Sequence, residues 1–227
     1  MTGMRSYDAA IIDLDGTLVD TLGDFEVAIG RMLAELGLQP VDRGFIEDTI
    51  GKGGEHLIRN TLARAGGDPA LYPQAWSSYQ AHYGAVNGEF STVYAGAREG
   101  VERLAASGVA LACVTNKPFG FAQVLLERKA LRAHFAQVYG GDSFARKKPD
   151  PLPLQEACKA LGSTPARTLM IGDSSNDAAA ARAAGCPVVL VRYGYNHGEP
   201  IDAVDADAFV DGIDEVPALL LATLGQP

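Results

Sequence analysis

The hydrophobic positions of this chain fall into two textures. Tyr7 to Ile12 is a short apolar run that ends in acids, and Leu22, Phe25, Ile29, Met32, Leu33 and Leu36 then recur at helical spacing, so a strand is followed by a helix. Gly37 is a helix stop, and from Val41 to Val86 the period stays helical, with Ile46, Ile50, Leu57, Ile58 and Leu62 apolar and no β-rich run. After Thr92 the texture alternates. Helix Arg98–Ala106, strand Val109–Val114, helix Phe119–Lys129 and strand Gln137–Tyr139 come first, then helix Leu152–Leu161, strand Thr168–Ile171, helix Asn176–Ala184 and strand Pro187–Val191. Buried-type strands that alternate with helices predict right-handed crossovers and a parallel sheet covered on both faces.

The first strand belongs with this later series. The expected fold is therefore α/β, a doubly wound parallel sheet built from residues 1–19 and 93–227, interrupted after its first strand by a small all-helical cap over residues 20–92. Ligands of open α/β sheets bind outside the carboxyl ends of the strands, and a cap inserted there would cover that edge.

Composition narrows the function classes. The 227 residues, 47% apolar and 21% charged, are ordinary globular values and enough chain for a real core. A formal net charge of -9 repels a polyanionic backbone, and no basic cluster longer than Arg146, Lys147 and Lys148 offsets it, which argues against nucleic acid. Cys113, Cys158 and Cys186 have no metal-like spacing and cannot form a closed disulfide set, so a reducing cytoplasm is expected. The apolar start is cut off by Asp13 and Asp15, and nowhere do eighteen apolar residues run together, so neither export nor a membrane is indicated.

Chemistry gathers at the predicted strand ends. The first strand closes on Asp13-Leu14-Asp15-Gly16-Thr17, two carboxylates where the chain leaves the sheet. Such a pair needs an opposing charge, and magnesium suits a site with few protein ligands that keeps waters and takes substrate phosphate. Gly16 lets the backbone turn closely about a ligand and Thr17 can orient a carboxylate, although the segment taken alone is also ordinary turn chemistry. The strand ending at Ile171 runs into Gly172-Asp173-Ser174-Ser175-Asn176-Asp177. In a parallel sheet the two mouths share one edge, so Asp173 can complete a cation site begun by Asp13 and Asp15. Asp177 suits ligation and a first-turn cap equally. Strand Val109–Val114 leads into Thr115-Asn116-Lys117-Pro118, where a hydroxyl, an amide and helix-opening N–H groups make a phosphate cradle or, more plainly, a helix cap. Lys148, ahead of Pro149-Asp150-Pro151, is a cation in a stiff loop; a solvated surface lysine is the ordinary alternative.

In this order the four segments resemble the motifs of the haloacid dehalogenase superfamily, and the resemblance covers nearly the whole chain, the helical insertion matching that superfamily's first cap class. It implies a Rossmann-like core and a magnesium (Mg2+)-dependent phosphatase that works through an aspartyl phosphate on Asp13. By the same resemblance Asp15 is the general acid/base, Thr115 and Lys148 bind phosphate, and Gly16, Thr17 and Asn116 lie at the substrate. Asp173 is a metal ligand alongside Asp13 and Asp15, with Asp177 in support. An acid at position 15 points to phosphate-ester chemistry rather than dehalogenation or phosphonate hydrolysis. Gly51-Lys52-Gly53-Gly54 in the cap and Tyr193-Gly194-Tyr195-Asn196 after the last strand are similar to bacterial phosphoglycolate phosphatases. This implies 2-phosphoglycolate as substrate and Lys52 as the residue that meets its carboxylate, against the plainer reading of a solvated lysine in a glycine turn.

The partner is then a small-molecule phosphate ester, and the assembly a monomer or homodimer. A sugar-phosphate phosphatase or phosphomutase shares the same motifs. A phosphoacceptor signalling domain also gathers acids, a threonine and a lysine at a parallel edge, but leaves the cap without a purpose. A dinucleotide-binding domain lacks G-x-G-x-x-G after the first strand.

Overall fold

The computed structural model describes residues 7–222. In chain order it forms β1 (Ala9–Ile12), β2 (Val19–Asp20), α1 (Leu22–Glu35), α2 (Arg43–Thr49), α3 (Gly54–Arg64), α4 (Tyr72–Val86) and β3 (Thr92–Val93). The chain continues through α5 (Ala97–Ala106), β4 (Ala110–Val114), α6 (Phe119–Arg128), β5 (Gln137–Tyr139), α7 (Leu152–Ala160) and β6 (Thr168–Gly172). It closes with α8 (Ser175–Ala184), β7 (Val188–Val191), β8 (Ala208–Val210) and α9 (Val216–Ala222).

Six strands pair in parallel in the order β5-β4-β1-β6-β7-β8. The register sets Ile12 beside Cys113 on one side and Ile171 on the other, so the chain leaves β1, β4 and β6 at one level. After β1 the chain builds outward through β4 and β5, then returns to β6 on the other flank, which makes the edge beside β1 the topological switch point. Alternate residues separate two apolar layers. Ala10, Ile12, Cys113, Leu169 and Ile171 pack with α5 and α6 residues such as Val101 and Leu125, while Ile11, Ala112, Val114 and Met170 pack with Leu154 of α7 and Ala181 of α8. Both faces are covered, which is why these strands read as unbroken apolar runs.

The helices α1 to α4 enclose a separate apolar cluster that includes Phe25, Ile29, Met32, Ile58, Leu62 and Tyr83. Where this insertion leaves and rejoins the sheet domain, β2 and β3 pair antiparallel, Val19 with Val93 and Asp20 with Thr92. The sequence pattern contains no sign of this ribbon, because strands of two residues have no period to detect, and it does not mark β8 either. Asp24 fixes the same junction from inside. It is fully buried on α1, and its two oxygens accept the N–H groups of Gly88 and Phe90, each at 2.7 Å. No helix among the described residues is long and apolar enough to cross a membrane.

Substituting Asp24→Ala leaves two backbone donors without their acceptor. An unmet buried donor costs about 1–3 kcal/mol, and urea denaturation is expected to show a loss of that order. An unchanged midpoint would mean that water replaces the carboxylate at no cost.

Candidate active site

Two neighbouring strand ends, those of β1 and β6, bring the acids together. The Asp13 N–H continues the ladder to the carbonyl of Ile171 at 3.0 Å, which holds the residue after β1 against the end of β6. There Asp13, Asp173 and Asp177 each offer a carboxylate oxygen, all within 4.8 Å of one another. Lys148 reaches this group from the loop before α7, with Nζ 3.0 Å from Asp13 Oδ1 and 2.7 Å from Asp177 Oδ1.

Each carboxylate is oriented separately. The Thr17 hydroxyl donates to Asp173 Oδ1 and the Tyr195 N–H to Asp173 Oδ2, both at 2.7 Å. Gly16 has φ +84, and a Cβ there would overlap Asp173 Oδ2, so glycine is required twice over, by conformation and by space. Asp177 Oδ2 accepts the Ser174 hydroxyl at 2.7 Å and the N–H groups of Asp173 and Ser174 at 3.2 Å. The two readings of Asp177 are thus not exclusive, since one oxygen ties down the start of α8 while the other faces Lys148.

Electrostatics favours a cation here. Fully ionised, three carboxylates against one ammonium would leave two negative charges in a buried space. Burial, and then the Asp177 charge, push the Asp13 carboxyl up to about 7 despite the opposing pull of Lys148. Burial and the Asp177 and Asp13 charges raise Asp173 well above the carboxylate range. Burial opposes the charge on Lys148, yet Asp13 and Asp177 together hold its ammonium above the ordinary lysine value. Oxygen donors only, with a charge deficit of two, fit a hard divalent cation such as magnesium.

On the far side of Asp13 a cavity opens between sheet and helical insertion. Asp13, Asp15, Thr115, Asn116 and Lys117 form its floor, and Phe25, Ile50, Leu57, Trp76, Tyr79, Tyr83 and Phe121 its walls. Asp15 does not join the other three acids. Its carboxylate pairs with Lys117 at 2.9 Å, so its place is on the cavity side rather than in the cation cluster. The Thr115 Oγ1 accepts the Lys117 N–H at 3.2 Å at the head of α6, and Asn116 Nδ2 donates to the carbonyls of Lys148 and Gly51, each at 2.9 Å. Asn116 therefore clips the cap loop to the loop that carries Lys148.

Besides Asp15, two more sequence expectations meet a different arrangement. Thr17 is fully buried and outside the cavity lining, and its hydroxyl serves Asp173 rather than a ligand. Lys52 is exposed and does not line the cavity, although Gly51 and Gly53 beside it do. The reason is that Asn116 and Asn176 hold the Gly51 carbonyl toward the sheet domain, and the next side chain faces out. Lys117 was the residue overlooked. It follows Thr115-Asn116 directly, and its position between a polar cradle and a helix start was the available signal.

The family pattern described as haloacid dehalogenase-like hydrolase matches residues 10–191. The chain belongs to that family. Among relatives of this hydrolase, the phosphoglycolate phosphatase of Thiobacillus denitrificans is 43% identical over 215 residues, covering 93% of this chain and 95% of its own. The phosphoglycolate phosphatase of Nitrosospira multiformis is 42% identical, covering 93% and 95%. A crystal structure of a predicted phosphoglycolate phosphatase from Haemophilus somnus superposes with a TM-score of 0.90 at 31% identity, over 96% of this chain and 99% of that one.

The raised Asp13 carboxyl gives the cation cluster a thermodynamic signature. Folded Asp13 holds its proton up to about 7, against an ordinary value of 3.8. Its contribution to the metal-free hydrolase is therefore full below about 4 and is lost as pH rises through about 7. Thermal denaturation in chelator should show a less stable protein at pH 8 than at pH 5, with magnesium restoring more at pH 8. Saturating magnesium at about 100 Kd contributes about 2.7 kcal/mol, or about 5–10 °C for a chain of this size. An equal magnesium shift at both pH values would contradict the assignment.

Proposed function

We propose that this hydrolase removes the phosphoryl group from 2-phosphoglycolate, giving glycolate and inorganic phosphate through an aspartyl phosphate on Asp13. The observation that carries the reading is the division of the two motif acids: Asp13 lies among Lys148, Asp173 and Asp177, whereas Asp15 faces the cavity beside Lys117. The relatives' names supply the substrate, and the small, largely apolar cavity suits a short molecule better than a polyol.

One oxygen of Asp13 is held and the other is left to react. Oδ1 takes the Leu14 N–H at 2.7 Å and Lys148, while Oδ2 accepts no hydrogen bond among the described residues. Attack of that oxygen forms a bond to phosphorus as the ester oxygen leaves, and Asp15, in its protonated form, gives the departing oxygen its proton. Water then enters on the leaving side, returns a proton to Asp15, bonds to phosphorus and frees the Asp13 carboxylate. Lys148 and the polar atoms of Thr115 neutralise and orient the phosphoryl oxygens. Bound by Asp13, Asp173 and Asp177, magnesium would supply Lewis-acid stabilisation of the phosphoryl charge.

Asp13→Asn keeps the shape but not a nucleophilic oxygen, so steady-state phosphate release should fall at least about 10⁴-fold while the variant still binds the ester by calorimetry. Wild-type kcat/KM should be higher for phosphoglycolate than for glucose 6-phosphate, and Lys52→Ala, outside the cavity, should change it less than about 3-fold. Preference for the sugar phosphate would reject the substrate, and turnover by Asp13→Asn would reject the nucleophile.

A further inference from the structure

Among the described residues that line the cavity, Lys117 is the sole cation, and the transfer chemistry at Asp13 leaves it without a task. Its side chain is 2% exposed. Nζ donates to Asp15 at 2.9 and 3.2 Å and to the hydroxyl of Tyr83. The ring centroids of Tyr83 and Phe25 lie 4.6 and 5.0 Å from it. A lysine this deep gives up hydration that one ion pair does not fully restore, which makes it a costly device for steadying Asp15 alone.

The contact with Tyr83 leaves a donor spare. The phenol oxygen accepts from the ammonium, so its own O–H is free to donate, and among the described residues no acceptor takes it. Burial, with the Asp15 charge, raises the Tyr83 phenol far above its ordinary value, so the proton stays on the oxygen. An ammonium and a hydroxyl in contact, both against the same cavity, present two donors to one anionic group.

We propose that Lys117 Nζ and Tyr83 Oη form the receptor for the substrate's carboxylate; this rests on the reading of the substrate as a short phosphorylated acid. Asp15 marks the leaving oxygen, and Lys117 is within a hydrogen bond of Asp15. In a two-carbon phosphate acid the carboxylate carbon is only two bonds from that oxygen, so a donor beside Asp15 meets it. Much of the remaining wall, Phe25, Ile50, Leu57 and Phe121, is apolar and offers no partner to the hydroxyls of a sugar. Lys117 comes from the loop after β4 and Tyr83 from α4, so the receptor is complete only while the cap sits on the sheet domain. Recognition of the acid and enclosure of the phosphoryl group then become one event.

The test compares kcat/KM for 2-phosphoglycolate and for ethyl phosphate, which carries a methyl in place of the carboxylate, in wild type, Lys117→Met and Tyr83→Phe. The preference for phosphoglycolate should fall at least about 100-fold in Lys117→Met, since a site built to hydrogen-bond a polar group can reject an analogue lacking it by about 10⁴–10⁵, and about 10-fold in Tyr83→Phe, a single hydrogen bond. Equal losses on both esters would assign Lys117 to Asp15 alone and overturn the receptor. Should Lys117→Met fail to fold by circular dichroism, Tyr83→Phe decides, since it removes one oxygen and keeps the ring packing. A preference that survives both substitutions overturns the receptor alone. A wild-type enzyme without any preference between the two esters overturns the substrate reading, and the receptor with it.

Discussion

The structure depends on a local excess of negative charge held out of water. Asp13, Asp173 and Asp177 converge at the ends of β1 and β6 and the start of α8, with only Lys148 among the described residues paired against them. Like charges at this distance raise each other's proton affinity, and burial does the same, so the arrangement persists only because many fixed groups restrain it. The donors are spread over the chain: Leu14 on Asp13, Thr17 and Tyr195 on Asp173, Ser174 on Asp177. Backbone that could have relaxed is instead pinned by the parallel ladder, which turns repulsion into affinity for a cation.

The loop after β7 carries that restraint to the cap. Tyr195 gives its N–H to Asp173, while its hydroxyl accepts the N–H groups of Thr21 and Leu22 at 2.9 and 3.0 Å where α1 begins. Its ring is buried in the apolar cluster of the cap. One residue thus spans from a carboxylate of the cation cluster to the junction about which the cap would move. On the opposite rim Asn116 makes a similar link, from the Gly51 carbonyl to that of Lys148. Displacing the cap would break hydrogen bonds at both ends of the site, so closure and catalytic order are mechanically joined.

What the sequence discloses follows from the range of the physics. Strand ends were legible because a fully buried strand must be apolar throughout and therefore stops visibly at an acid, as at Ile12 to Asp13 and Ile171 to Asp173. The helical insertion was legible through its 3.6-residue period. The ribbon of β2 and β3 was not, since each strand owes its existence to a partner more than seventy residues away. Asp177 was ambiguous because a carboxylate has two oxygens and uses them for different purposes. Lys52 misled because glycines announce a close approach without saying which neighbouring side chain faces the ligand; the grip on the Gly51 carbonyl decides that.

Lys117 shows the deeper limit. Its neighbours in sequence suggest a phosphate cradle, but its role is set by Tyr83, which reaches it across the interface between cap and sheet domain. No local pattern fixes the rotation of α4 about its axis relative to β4. That rotation follows from packing, with Tyr83 tilted against Phe25 at 5.0 Å and edge-on to Phe121 at 5.2 Å. The aromatic contacts that build the cap's core therefore also aim a hydroxyl at the floor of the site. The acids and Lys148 gather at the strand ends, whereas the proposed carboxylate receptor lies where two separately packed cores meet.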